Sequence, residues 1–132
     1  MTETAEQFII RKKESDIGSE RTFKDITRTC SHIYKIVAVT YMIESHYREK
    51  VFELQRLKHL NTINEDGTEK DRTLMMTNIS YMPKITYRVG YYIIGKIGRA
   101  EGKWWWGQSA PLFFDNDLML LIEKAKEEGT IL

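Results

Sequence analysis

The chain predicts an α+β fold, with an antiparallel sheet of three to four strands packed against a long N-terminal helix and a short C-terminal helix. Three observations predict it. No Gly or Pro interrupts Glu20 to Leu60, and apolar residues recur there at helical spacing. Ile85 to Gly98 alternates in the manner of a strand, and a Gly-containing turn follows it. A third stretch, Leu118 to Ala125, carries a short apolar stripe behind a polar cap.

Met1 to Gln7 is polar and expected to fray. Phe8-Ile9-Ile10 ahead of Arg11-Lys12-Lys13 reads as a short edge strand, and Ser15 to Ser19, with Gly18, as a loop. The long helix is expected from about Arg21, with Thr22 and Asp25 in a capping arrangement. Phe23, Ile26, Cys30, Ile33 and Val37 form one stripe, and Tyr47, Val51, Leu54 and Leu57 a second. Ile36 to Tyr41 is β-branched, so a buried strand or a break near Thr40 is the competing reading. Residues 61–72 hold Asp66-Gly67 and dense charge, the signature of a solvated loop. Leu74 to Met82 reads as a strand limited by Pro83. Ile85 to Gly98 and Lys103 to Ala110 then make a hairpin around Ala100-Glu101-Gly102. Pro111 ends it, Asp115 or Asn116 caps the last helix, Leu118, Leu121, Ile122 and Ala125 face its core, and Gly129 stops it.

A length of 132 residues fits one domain with a core of its own. The net charge of +1 argues against a partner held by the field of the whole molecule, so bulk nucleic acid or an anionic membrane would need a local patch. The single cysteine, Cys30, excludes a disulfide-stapled fold and is expected in the core. Met1 to Gln7 lacks the apolar run of a secretory signal. The apolar run Ile33 to Ile43 is too short to span a bilayer. A cytoplasmic protein without membrane contact is expected, which makes the sequon Asn78-Ile79-Ser80 a chance occurrence.

The candidate site is the hairpin of residues 84–108. It holds every tryptophan of the chain, Trp104, Trp105 and Trp106. Adjacent strand residues point to opposite faces, so at least one indole must leave the face its neighbours bury. A three-residue loop would pair Lys96 with Trp106 and put Trp104 and Trp106 beside Arg88 and Tyr92; a one-residue slip would exchange the faces. The face with odd numbers, from Ile85 to Ile97, is expected to be the core face, and the even face to be mixed and basic. Lys84, Arg88, Lys96, Arg99 and Lys103 against Glu101 give this segment a charge of +4, while Gly107 to Leu132 carries −3.

Trp, Tyr and Arg together are what protein hot spots use, and aromatic faces beside cations also stack bases. Arg88, Tyr92, Lys96, Trp104, Trp105, Trp106 and Gln108 are therefore the expected binding residues. A non-catalytic intracellular protein that contacts a protein partner or a second copy of itself is the leading expectation. Nucleotide or single-stranded nucleic-acid binding through the same hairpin is an alternative, as is a component of a viral or phage assembly. A small enzyme would need an aromatic-walled pocket with Gln108, Ser109 and either His46 or Asp115. No catalytic residue, cofactor or metal is assigned. On a helix Cys30 and His32 would face apart, the three histidines are dispersed, and Asp115-Asn116-Asp117 fits a helix cap. The glycines Gly90, Gly95, Gly98, Gly102 and Gly107 match no phosphate-loop spacing.

Overall fold

The computed structural model describes residues 2–25, 28–66 and 84–132. The chain opens with helix α1, Ala5–Asp16. Thr4 caps it: its hydroxyl accepts from the Gln7 amide while the Gln7 side chain accepts from the Thr4 amide, a reciprocal box that satisfies two otherwise orphan donors. Phe8 therefore lies on a helix, buried, and not on an edge strand.

The expected long helix is not there. Its residues form three strands, β1 (Glu20–Lys24), β2 (Cys30–Ile43) and β3 (Lys50–Asn64). With β4 (Ile85–Ile94) and β5 (Trp104–Trp106) they make a five-stranded antiparallel meander in the order β1-β2-β3-β4-β5, curled into a half-barrel. Helix α2, Asp117–Glu127, follows.

The physical reason for the correction lies in β2 and β3. A bulge between Ile36 and Ala38 inserts one residue into the ladder. Buried Tyr34 and Ile36 are then followed by Val39 and Tyr41, and the step of three imitates a helical stripe. The start of β3, Val51 to Gln55, is buried without interruption because both sheet faces are covered there, so it shows no alternation. The turns need no glycine. Arg28 takes φ 61° between β1 and β2, and the Lys50 amide donates to the Tyr47 carbonyl (3.2 Å) between β2 and β3. Thr40, the suspected break, sits inside β2. The expected solvated loop, residues 61–72, begins instead as strand, since Asn61 to Asn64 belong to β3; its second half, the expected strand Leu74 to Met82 and the sequon lie outside the described residues.

Each sheet face carries one helix. On the α1 face Ala5, Phe8, Tyr34, Ile36, Val39, Tyr41, Val51 and Leu57 form a core, joined by Tyr92 and Trp104. On the α2 face Phe52 and Leu54 meet Leu121 and Ala125. Both faces of β4 are thus partly covered, whereas one core face was expected. Gly129, at φ 80°, ends the C-terminal helix as its position implies.

Candidate functional site

The pairing of β4 with β5 sets Tyr92 opposite Trp106, Ile93 opposite Trp105 and Ile94 opposite Trp104. The loop is longer than three residues, but its parity places Trp104 and Trp106 on the α1 face with Tyr92 and Arg88. Trp105 points to the other face and is 45% exposed.

The result is a ladder of rings across the α1 face. Trp104 stacks on Phe8 (4.8 Å), and its Nε1 donates to the Glu3 carbonyl (2.9 Å). Phe8 meets Tyr92 (4.9 Å), and Tyr92 meets Trp106 edge-on (5.0 Å). Trp106 lies over Gly90 so closely that a Cβ there would fall 2.1 Å from the indole. Arg88 follows, its guanidinium carbon 4.4 Å from the Trp106 ring and 4.8 Å from the Phe23 ring. The ladder continues through Tyr34, His59 and His32 at centroid spacings of 5.8, 5.4 and 5.7 Å.

Beside Arg88 opens a pocket of about 370 Å³, walled by Phe23, Tyr34, Leu57 and Tyr87, with Thr86 and Arg88 on one side and Asp25 and His32 on another. Among the described residues no carboxylate lies within ion-pair distance of Arg88. Burial pushes its guanidinium below the usual range, and the charge of Glu53 works against that. The hydroxyls of Tyr34 and Thr86, both buried, make no hydrogen bond of ordinary geometry. Burial pushes the Tyr34 phenol up, with Thr86 acting weakly the other way. The pocket therefore combines apolar walls with two cations, Arg88 and Lys24, and one carboxylate, Asp25.

At its far end β1 and β2 bring Asp25, Cys30 and His32 together. His32 Nε2 lies 2.7 Å from Asp25 Oδ1, and Nδ1 lies 2.9 Å from Thr62 Oγ1. The expectation that Cys30 and His32 face apart depended on a helix; on a strand, residues two apart share a face. The Cys-x-His spacing was the available signal, and the helix assignment concealed it.

The expected site residues separate in space. Arg88 lines the pocket, and Trp106 stacks on its guanidinium from outside the lining. Tyr92 and Trp104 pack under α1 as core. Lys96 is exposed and pairs with Glu49 (2.6 Å). Gln108, also exposed, donates to the Trp106 carbonyl (3.4 Å). His46 and Asp115 do meet, but on an exposed surface, where the hydrogen bond that His46 donates to Asp115 raises the His46 pKa.

Among the described residues no helix is long and apolar enough to cross a membrane. No protein family model, no curated protein and no solved structure matches the chain.

Proposed function

We propose that this protein is a non-catalytic binding protein for a small organic anion, a carboxylate or phosphate monoester attached to a flat apolar body. The observation that carries this reading is Arg88. A guanidinium stacked between two rings is pre-organised, and its planar fork of N–H donors suits bidentate capture of a carboxylate or phosphate. Burial strips the guanidinium of part of its hydration, the charge of Glu53 offsets that only in part, and a bound anion offsets the rest. The apolar walls of Phe23, Leu57 and Tyr87 take the body of the ligand, and Lys24, also in the lining, supplies a second cation. A volume near 370 Å³ is at the small end of ligand sites, which favours a one-ring or two-ring ligand over a polypeptide segment.

Calorimetric titration with benzoate, phenyl phosphate and a neutral benzyl alcohol control tests it. The two anions are expected to bind and the alcohol is not. In Arg88→Gln, loss of a charge-assisted contact is expected to weaken anion binding roughly 10- to 100-fold. Equal binding of the neutral compound, or no binding of either anion, refutes the reading.

A second reading has its own support on the α2 face. Trp105, Ile93 and Lys50 form a cross-strand row, Lys50 Nζ lies 5.9 Å from the Phe114 ring, and Leu112 and Phe114 are exposed. An exposed apolar cluster of this kind is what a protein contact uses. Self-association measured by light scattering is then expected to disappear in Trp105→Ser, and a strictly monomeric parent at high concentration speaks against a second copy as the partner.

A further inference from the structure

We infer that Asp25, Cys30 and His32 form a binding site for a thiophilic divalent cation of the Zn²⁺ class. The Asp25 amide donates to the Cys30 carbonyl (2.9 Å), so these residues oppose each other at the end of the β1–β2 ladder. His32 is two residues further along β2 and shares the face of Cys30. The three donor atoms lie within 4.8 Å of one another, and the residues are 7%, 3% and 2% exposed.

A thiolate, an imidazole and a carboxylate make a mixed donor set that suits tetrahedral zinc-like ions and not a hard, oxygen-seeking ion. The imidazole is already oriented. Its Nδ1 is held by Thr62, whose hydroxyl also lies 3.0 Å from His59 Nε2, the outer support that ligating histidines use. This leaves Nε2 toward Asp25. Metal bonds of about 2.0–2.1 Å at tetrahedral angles require that nitrogen and oxygen to part from 2.7 Å to roughly 3.3 Å, a side-chain adjustment. On binding, the Cys30 thiol gives its proton to solvent, and His32 coordinates through Nε2 as a neutral imidazole whose one ring proton sits on Nδ1 and is donated to the Thr62 hydroxyl. Thiolate and carboxylate then balance the ion, which makes its burial tolerable.

Asp25 and His32 also line the pocket beside Arg88. A Cys–His nucleophile is the poorer account of the same residues. Both His32 nitrogens are engaged, by Asp25 and Thr62, and neither is placed to take the Cys30 proton. The site does not depend on the anion reading, and Arg88→Gln is expected to leave it intact.

The test is titration of the reduced, metal-free full chain with Co²⁺ alone. One ion per chain is expected, with thiolate-to-cobalt charge-transfer absorption and visible bands of tetrahedral intensity, all removed by Zn²⁺. Cys30→Ser is expected to abolish the charge-transfer band, and Asp25→Asn to weaken uptake at least about tenfold, with circular dichroism confirming that each variant is folded. Should Cys30→Ser fail to fold, the ¹¹³Cd resonance of the Cd²⁺-loaded parent is expected in the range of sulfur-ligated sites. No stoichiometric uptake, uptake without the charge-transfer band, or a cadmium resonance in the oxygen and nitrogen range overturns the inference.

Discussion

A guanidinium clamped between two rings keeps its charge but loses much of its water, and this is what sets Arg88 apart from the other basic residues of its hairpin. Lys96 has Glu49 and remains in solvent, so its removal is expected to matter little. Glu53 is the opposite extreme, fully buried on the α1 face. Burial first, then the nearby charge of Asp16, pushes its carboxyl up to about 7, while the Tyr41 hydroxyl acts the other way. Between the ordinary carboxylate range and about 7 the folded chain then holds a proton that the unfolded chain has released. The stability from Glu53 is complete below that window and lost as pH rises through it. Glu53→Gln cannot titrate, so urea unfolding of both proteins should show the variant gaining about 3 kcal/mol relative to the parent from about pH 5 to about pH 8. A difference independent of pH would mean that Glu53 titrates normally. At this scale the sequence marked Arg88 and the tryptophans, because their types are unusual together. It placed Asp25 in a helix cap and did not foresee the contacts of Thr62 or Glu53, since all three roles arise from the fold of the sheet.

At the scale of the element, β4 and β5 hold the ring ladder through one close approach, Trp106 against Gly90. A methyl group there must displace the indole, and with it the stack on Arg88. Gly90→Ala is expected to lower stability by about 1–3 kcal/mol, read as a shift in the urea midpoint, whereas an unchanged midpoint would place Trp106 elsewhere. The hairpin was legible because Ile85, Tyr87, Val89, Tyr91 and Ile93 recur at a period of two ahead of a Gly-containing turn, although the face they were expected to bury is in part exposed. The C-terminal helix was legible because Leu121 and Ala125 of its expected stripe are buried and Gly129 closes it, although Leu118 of that stripe is exposed and Asp117 is buried instead. β2 and β3 were not. The bulge at Val37 breaks the period of two, and the doubly covered start of β3 erases it. Absence of Gly and Pro was read as continuity of a helix, but Arg28 and the turn through Tyr47 reverse the chain without either.

The whole molecule divides its chemistry between two faces. The α1 face carries the ring ladder, the anion pocket and the Asp25–Cys30–His32 cluster, while the α2 face exposes Trp105, Leu112 and Phe114. The odd and even faces of the hairpin, expected to be core and surface, are instead two half-covered surfaces with different uses. That division makes the tryptophans natural reporters, since Trp106 touches Arg88 and Trp105 does not share its face. The most direct measurement is an NMR titration with phenyl phosphate that follows the Arg88 Nε–H resonance and the three indole N–H resonances. The expected result is a saturable shift of Arg88 and Trp106 with Trp105 unmoved. Movement of Trp105 alone, with Arg88 silent at saturating ligand, would contradict the proposed site and return the binding surface to the outer face of the hairpin.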